Sequence, residues 1–412
     1  MKRTCRKALG IALCLTAFCC CVSGPAPYDD GADAEEARFL LRAAAGVETL
    51  NGEQYARSDS DRDGKLTPAD ARLALRISVG LPVSVCEDPG FGAYEEDVVD
   101  FRSCYTNDAM REDLALLQRL MPSRFSYRSL GTTADGRDIF CAVLGSGYGS
   151  SQIVIDAGTH GSEYLNPAAV MRTVEYCLRN YDSVVYRGKT VREILSDTDL
   201  YILPMLNPDG IAISQFGLEG LHSAALADSV KAIYERQAAL KRTKDSLSDY
   251  LRVWKANANG VDLNRNFLFE RTGMSYDTGV YEPANEEYAG DRNHPEAETA
   301  AYRTLIESLP HPVAVLSIHS QGNLIYSDCR QSLAVKKKAR RLARLIGEQT
   351  GYFIVSSDSF VSASADWTTI EKEIPSVTVE CGKGHNPLPL EQQEEISQKL
   401  RNVFLAVAES FG

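Results

Sequence analysis

The segment Ile153-Val154-Ile155-Asp156-Ala157-Gly158-Thr159-His160-Gly161-Ser162-Glu163 joins a short apolar run to a glycine-flanked turn that carries a histidine and a glutamate. An apolar run of this length, bounded by glycine, favours a buried strand. Two later runs end in the same way, because residues 313–318 precede His319 and residues 376–379 precede Glu380. The ends of strands in an open α/β sheet border a common crevice, so we expect these four side chains to lie close together.

These four side chains are the residue types that a zinc-dependent hydrolase needs. Two imidazoles and one carboxylate form a three-ligand zinc site that leaves one position for water, and a second carboxylate can act as a base. A histidine at the end of a strand is, taken alone, more often a hydrogen-bonded structural residue than a ligand. The combination of His160, Glu163, His319 and Glu380 therefore carries the prediction of a zinc hydrolase.

Apolar periodicity around these residues predicts alternating strands and helices. Strands are predicted at residues 140–144, 152–156, 200–206, 313–318 and 377–379. Helices are predicted at residues 108–121, 168–179, 221–253, 297–309, 333–350 and 391–409. Strands separated by helices indicate an α/β fold with a mixed, mostly parallel sheet covered by helices on both faces.

Length and charge limit the classes of function. A chain of 412 residues with 44% hydrophobic residues can form two or three domains and a large core. The formal net charge is −12. The first 23 residues contain four basic and no acidic side chains, so the chain without them is more acidic still. This charge excludes nucleic acid and anionic membranes as probable partners.

Residues 1–23 have the composition of a secretory signal peptide, with a basic stretch at 2–7 and an apolar stretch at 8–22. The apolar stretch is too short for a membrane span, so we expect cleavage near Ser23, no transmembrane span in the mature chain and a secreted or cell-surface protein. The cluster Cys19-Cys20-Cys21 leaves a lipid anchor open as an alternative. Of the six later cysteines, Cys86 and Cys104 could form a disulfide, and buried free thiols are the equal alternative.

A calcium loop follows the signal segment. Residues 59–70 fit a twelve-position loop with glycine at position 6, and its predicted calcium ligands are Asp59, Asp61, Asp63, Lys65 through its backbone carbonyl, and Asp70. A solvated acidic turn is the alternative. The helical segment at 71–80 repeats a segment at 37–46, with an offset of 34 residues, so residues 25–82 contain an internal repeat.

The second copy of this repeat resembles a dockerin repeat. The resemblance implies a small all-α, dockerin-like module at residues 24–86 that binds one Ca²⁺ and has a cohesin-like partner for residues 25–82. The first copy departs from the pattern because Pro25 and Pro27 stand opposite Asp59 and Asp61, and proline offers no side-chain oxygen. Residues 87–103, which contain Pro89 and an acidic run, are predicted as a linker to a catalytic domain at 104–412.

The predicted catalytic domain resembles the zinc carboxypeptidase family over residues 104–411. The resemblance rests on six ordered motifs: His160-Gly-Ser-Glu163, Asn207-Pro-Asp-Gly210, Trp254-Lys-Ala-Asn257, Gly260-Val-Asp-Leu-Asn-Arg-Asn-Phe267, His319-Ser-Gln-Gly322 and Thr378-Val-Glu380. More narrowly, the bacterial branch that contains γ-D-glutamyl-diaminopimelate peptidases is resembled by Trp254-Lys-Ala-Asn257, His319-Ser-Gln-Gly322 and Asn386-Pro-Leu-Pro389.

The resemblance implies roles in catalysis. His160, Glu163 and His319 match the ligands of one catalytic Zn²⁺, and Glu380 matches the general base that takes a proton from the zinc-activated water. Lys255 stands where other members have an arginine that polarises the scissile carbonyl, so it is assigned to stabilising the developing oxyanion.

The resemblance also implies a receptor for the substrate. Asn264 and Arg265 match the pair that binds a free carboxylate, which suits the planar guanidinium of arginine. The chain departs from the family at two points. Residues 357–365 lack the mobile tyrosine of other members, and Ser162 replaces an arginine.

The sequence therefore predicts an exported zinc metallopeptidase that hydrolyses a peptide amide near a free carboxylate. Bacterial cell-wall stem peptides, cleaved at a γ-D-glutamyl-diamino acid bond, are the first expected substrate. A general metallocarboxypeptidase that removes C-terminal residues from proteins or peptides is one alternative. A binding protein that kept the fold, lost turnover and docks through its calcium module is an alternative of another class.

Overall fold

The structure, a computed structural model, describes residues 38–39, 41–43, 71, 88–92, 94, 96–101, 104–147, 149–355 and 360–412. The predicted signal peptide, the predicted calcium ligands and Cys86 lie outside the described residues. The calcium loop, the dockerin-like module and the disulfide between Cys86 and Cys104 accordingly stay predictions.

The part of the chain described from residue 104 onward contains ten strands and ten α-helices. The strands are β1 (Phe125–Thr132), β2 (Asp138–Leu144), β3 (Ser151–Ala157), β4 (Val184–Tyr186), β5 (Lys189–Thr190), β6 (Thr198–Leu203), β7 (Pro312–His319), β8 (Leu324–Tyr326), β9 (Phe353–Val355) and β10 (Ser376–Glu380). The helices are α1 (Asn107–Leu120), α2 (Leu165–Arg179), α3 (Val191–Ile194), α4 (Pro208–Phe216), α5 (Ala224–Ala239), α6 (Leu247–Arg252), α7 (Ala297–Ser308), α8 (Leu333–Thr350), α9 (Ser364–Glu371) and α10 (Gln393–Phe411).

Eight of these strands form one mixed sheet in the order β1-β2-β6-β3-β7-β10-β8-β9. The central strands β6, β3, β7 and β10 are parallel to one another, and β8 is parallel to β9. The pairs β1–β2, β2–β6 and β10–β8 are antiparallel. The mixed, mostly parallel sheet predicted from the sequence is therefore confirmed.

Both faces of the sheet are buried. Successive side chains of a strand point to opposite faces, and in β3 Ile153 and Ile155 pack in one apolar cluster while Val154 packs in another. The first cluster includes residues of α1, α2, α8 and α10, and the second includes residues of α7 and α9. All seven residues of β3 are buried, as expected for a central parallel strand covered on both sides.

Local signals set the ends of the helices that cover the sheet. In α1, Thr106 is the N-cap and its side chain accepts a hydrogen bond from the backbone N–H of Ala109. The buried residues Met110, Leu114 and Leu117 recur every three or four positions and form the face that packs on the core. Among the described residues, no helix combines the length and the apolar character that crossing a bilayer requires.

The structure corrects some predicted boundaries. The single helix predicted at 221–253 is wrong, because α5 ends at Ala239 and α6 begins at Leu247. Lys241 has a left-handed backbone with φ +56°, and the Ser246 side chain accepts a hydrogen bond from the Asp249 N–H as the N-cap of α6. Strand β6 ends at Leu203 and not at 206, since Pro204 follows and cannot donate to a ladder.

The described residues of the predicted linker contact the catalytic domain. Val99 is buried in the first apolar cluster, and the backbone N–H groups of Val98 and Val99 donate to the carboxylate of Glu175 in α2 at 2.8 and 3.0 Å. Arg179 also donates to Glu175, at 2.7 Å. This segment is therefore held against α2.

Candidate active site

The carboxyl ends of three parallel strands bring the predicted site residues together. Strands β7 and β10 are neighbours, and their register places Glu380 beside His319. Strand β3 pairs with β7 on its other side and leads into the loop that carries His160 and Glu163. The four side chains predicted to meet therefore lie at one edge of the sheet.

A tight turn fixes the spacing of His160 and Glu163. Residues Gly161–Glu163 form a single 3₁₀ turn, in which the Glu163 N–H donates to the His160 carbonyl at 3.1 Å. Gly161 lies so close to neighbouring backbone that a Cβ there would overlap the carbonyl oxygen of Gly210. The turn therefore requires glycine between the two functional residues.

His160, Glu163 and His319 form a buried cluster that could hold a metal ion. One potential ligand atom from each lies within 4.8 Å of the others. The Glu163 carboxylate sits between the rings, with one oxygen 2.6 Å from Nδ1 of His160 and the other 2.9 Å from Nδ1 of His319. Two imidazoles and one carboxylate are a donor set typical of catalytic zinc.

The surroundings of the cluster fit a metal ion as well. Nε2 of His160 lies 3.4 Å from a carboxylate oxygen of Asp262, the kind of outer carboxylate that orients a ligating imidazole. Within the described part of the chain, Nε2 of His319 is buried and has no hydrogen-bond partner. The residues present therefore fit Zn²⁺.

Glu380 is a half-buried carboxylate at the same edge and lines the same cavity. Burial raises the pKa of Glu380 from its ordinary value of 4.5 to about 7, against the opposing charge of His319. A carboxylate with a pKa near neutrality can both accept and return a proton during one reaction cycle. The environment thus suits the predicted base.

Two cations border the cavity beside these residues. Arg265 ends a 3₁₀ turn formed by Leu263–Arg265, and its guanidinium donates to both carboxylate oxygens of Glu287 at 2.9 and 2.7 Å. Lys255 Nζ lies 2.7 Å from a carboxylate oxygen of Glu286. Although burial opposes the charge of Lys255, the bond to Glu286 raises the pKa of its ammonium group. Both side chains are therefore cationic at neutral pH.

Asn264 lies next to Arg265 and contacts the first residue of α9. Its side-chain oxygen accepts a hydrogen bond from the backbone N–H of Ser364 at 3.0 Å, which joins the turn to the start of α9. Its own side chain is buried, yet the residue lines the cavity. Asn264 therefore holds the turn Leu263–Arg265 against the start of α9.

The site residues border one cavity of about 680 Å³. Its lining includes His160 and Glu163 of the metal-binding cluster together with Glu380, Lys255 and Arg265, and small side chains such as Ala365 and Thr378 also line it. His385 also lines it. A cavity with a metal site, a base and two cations can hold an anionic substrate for hydrolysis.

Three functional neighbours were not assigned from the sequence. Asp262, Glu286 and Glu287 contact His160, Lys255 and Arg265 respectively. Glu286 and Glu287 are marked in the sequence only by being adjacent. Adjacent acidic residues are usually exposed to solvent, so their adjacency does not predict a functional contact. Asp262 lies in the motif Gly260–Phe267, but no function was assigned to it from the sequence.

A comparison with protein families matches residues 110–406 to the model described as zinc carboxypeptidase. The chain belongs to the zinc carboxypeptidase family. Family members are metallopeptidases with a catalytic zinc ion, so the predictions of a zinc metallopeptidase and of a catalytic Zn²⁺ are confirmed.

Individual relatives of this zinc carboxypeptidase are distant. Gamma-D-glutamyl-L-diamino acid endopeptidase 1 of Lysinibacillus sphaericus is 25% identical over 310 residues, which cover 75% of this chain and 73% of the relative. Human carboxypeptidase B is 28% identical over 206 residues, 50% of this chain and 42% of the relative. The crystal structure of thrombin activatable fibrinolysis inhibitor has a TM-score of 0.59 at 16% identity, covers 79% of each chain, and shows the shared fold.

Proposed function

We propose that this zinc carboxypeptidase hydrolyses a peptide amide next to a free carboxylate, and that its substrates are stem peptides of the bacterial cell wall. The observation that carries the proposal is one cavity lined by His160 and Glu163 of the metal-binding cluster, by Glu380 and by Arg265. The metal-binding cluster and Glu380 would act on an amide bond, and Arg265 would bind a carboxylate. A substrate that fits this cavity therefore carries an amide and a free carboxylate close together.

The three clustered residues would hold the metal. When bound there, zinc supplies a Lewis acid that polarises the scissile carbonyl and activates water for attack. Glu380 takes the proton from the attacking water and returns it to the leaving amine. Burial, which raises its pKa, makes Glu380 a stronger base than an exposed carboxylate.

The two cations would hold the substrate. Lys255 borders the cavity near the metal-binding cluster, where its ammonium group can stabilise negative charge that develops on the carbonyl oxygen. Arg265, with Asn264 beside it, binds the free carboxylate through parallel hydrogen bonds. Holding the carboxylate places the neighbouring amide at the reacting end of the cavity.

The choice of stem peptides rests on the relative from Lysinibacillus sphaericus, whose name specifies a γ-D-glutamyl-L-diamino acid bond. The same proposal includes three features of the N-terminal part of the chain. Residues 1–23 direct export, residues 59–70 bind one Ca²⁺, and residues 25–82 have a cohesin-like partner. They are supported by the sequence patterns alone.

A general metallocarboxypeptidase is the second candidate. Its support is the similarity to human carboxypeptidase B over half of this chain. Both candidates use the same metal site and base, so the substrate alone separates them.

The experiment is a substrate panel read by mass spectrometry. The zinc-loaded full-length protein is incubated with L-Ala-γ-D-Glu-diaminopimelate and with a mixed library of ordinary peptides, and chelator-treated protein is the control. Cleavage of the first substrate alone supports the wall peptidase. Cleavage of the library from its C-termini supports the general carboxypeptidase, and no cleavage of either contradicts both.

A further inference from the structure

The guanidinium of Arg265 is already held on one edge by the protein. Its Nε and Nη2 atoms donate to the two oxygens of Glu287 at 2.9 and 2.7 Å, and its Nη1 donates to the backbone carbonyl of Asn264 at 2.9 Å. A guanidinium has five N–H groups. Among the described residues, three of these groups have partners, and one N–H on each terminal nitrogen remains.

The contacts with Glu287 and Asn264 leave an N–H group on each terminal nitrogen of Arg265 for a substrate. Arg265 lines the cavity, whereas Glu287 is not among the described residues that line it. The Glu287 carboxylate occupies the guanidinium edge formed by Nε and Nη2. Two N–H groups on the terminal nitrogens form the fork that binds a carboxylate with parallel hydrogen bonds.

The backbone holds Glu287 in an uncommon conformation for this contact. Glu287 has φ +65°, a left-handed value that side-chain-bearing residues rarely adopt. Its N–H donates to Asp262 at 2.9 Å, and the Asp262 N–H donates to the Tyr288 carbonyl at 2.8 Å. Backbone strain at a functional site is usually retained where the surrounding contacts enforce it.

We propose that Glu287 is a positioning residue for substrate recognition, which fixes the guanidinium of Arg265 so that its outer fork faces the cavity. This inference rests on the proposed function, since it assumes that Arg265 receives the substrate carboxylate. Glu287 touches neither the substrate nor the reacting atoms.

Asp262 extends this arrangement to the metal-binding cluster. One of its oxygens lies 3.4 Å from Nε2 of His160, and the other accepts the N–H of Glu287. Asp262 therefore contacts both the predicted metal ligand His160 and the residue that holds Arg265. This connection sets the separation between the bound carboxylate and the amide to be cleaved.

The test measures binding without turnover. In a full-length, zinc-loaded Glu380→Gln background, calorimetry gives the Kd of L-Ala-γ-D-Glu-L-Lys and of the same tripeptide with a C-terminal amide. Adding Glu287→Gln should weaken binding of the acid about tenfold, which is about 1.4 kcal/mol, because the amide side chain cannot accept both N–H groups. Binding of the amide ligand should not change.

Two variants make the test specific. Glu287→Asp keeps a two-oxygen acceptor and should restore most of the affinity for the acid. Glu282→Gln removes a more exposed acid nearby that pairs with Arg236 at 3.2 Å, and it should leave both Kd values unchanged.

Three results would overturn the inference: unchanged or tighter binding of the acid by Glu287→Gln, equal weakening of acid and amide, or no preference for the acid in the parent protein. Hydrolysis is measured separately with Glu380 intact, where Glu287→Gln should raise KM and leave kcat nearly unchanged. An intact protein that binds the acid selectively but never cleaves it contradicts the proposed function and leaves the role of Glu287 standing.

Discussion

At the scale of the residue, Glu298 in the first turn of α7 is a buried acid outside the active site. The Asn257 side-chain amide lies 3.5 Å from each of its carboxylate oxygens. Burial raises the pKa of Glu298 to about 8, and the charges of Asp209 and Glu296 contribute to the rise. The folded protein therefore keeps this carboxyl protonated at neutral pH.

Glu298→Gln should change how stability depends on pH. The unfolded chain releases this proton near its ordinary pKa of 4.5, whereas the folded protein keeps it until about pH 8. The contribution of Glu298 to the free energy of unfolding is thus complete below pH 4.5 and falls as the pH rises toward 8. Urea denaturation at several pH values should show Glu298→Gln more stable than the wild type at pH 8 and similar to it at pH 4.5.

The control for this experiment is Glu307→Gln, which changes an exposed acid of the same helix that pairs with Lys372. It should keep the wild-type dependence on pH. A Glu298→Gln variant that loses stability in parallel with the wild type between pH 4.5 and 8 would show that Glu298 is ionised in the folded protein.

The sequence was sufficient to locate the residues at the ends of the central strands. His319 and Glu380 follow short, mostly apolar segments, so both the strand and its end can be recognised locally. Glu287 could not be found in this way. It meets Arg265 across 22 positions of irregular chain, and no periodic pattern determines the path of such a segment.

At the scale of the element, α8 shows how one helix is ended. Gly351 follows its last residue with φ +71°, and its N–H donates to the carbonyl of Gly347 at 2.8 Å. A Cβ at Gly351 would meet no described atom within 4 Å, so only the backbone conformation restricts this position. Gly347 lies inside the helix, where a Cβ would make ordinary contacts.

Alanine at these two glycines should have opposite effects on stability. Gly351→Ala should lower the free energy of unfolding by roughly 1–2 kcal/mol, because alanine disfavours the left-handed backbone. Gly347→Ala should raise it by about 0.5–1 kcal/mol, because glycine inside a helix loses more backbone freedom on folding. Urea midpoints with unchanged slopes measure both effects. The same sign for both variants would contradict this account of the end of α8.

Elements with strong apolar periodicity were predictable, and weakly patterned ones were not. Helix α8 has the predicted bounds 333–350, because Ser332 caps it and Gly351 ends it. Strands β8 and β9 were missed because each has three residues, too few to show alternation. Strand β1 was missed since its exposed and buried side chains do not form an apolar run.

At the scale of the whole molecule, the two apolar clusters hold the sheet so that its central strands end at one cavity. The proposed metal ligands come from the loop after β3 and from the end of β7, about 160 positions apart in the chain. The unfolded chain has no such arrangement. A metal ion should therefore bind the folded protein preferentially and stabilise it.

Removal of the metal should lower both Tm and activity. At a free zinc concentration 1,000 times its Kd, the ion would add about 4 kcal/mol to the free energy of unfolding. Chelation should therefore lower Tm by several degrees and abolish hydrolysis, and added zinc should restore both. Differential scanning calorimetry and a peptide assay measure this response.

Two variants identify the source of the stabilisation by metal. Glu163→Gln should lose most of the Tm shift that zinc produces. His294→Gln, at a histidine whose side chain is 88% exposed, should keep the shift. A zinc-dependent shift that survives in Glu163→Gln would place the ion elsewhere.

The central claim is that Glu380 is the base of a zinc-dependent hydrolysis in this cavity. The most direct measurement compares the zinc-loaded wild type with Glu380→Gln on L-Ala-γ-D-Glu-diaminopimelate, with zinc content and substrate binding measured in parallel. We expect kcat to fall by about 10²–10⁴, with zinc content and substrate affinity retained, because glutamine cannot accept the proton. A glutamine variant that hydrolyses the tripeptide at the wild-type rate would contradict the account.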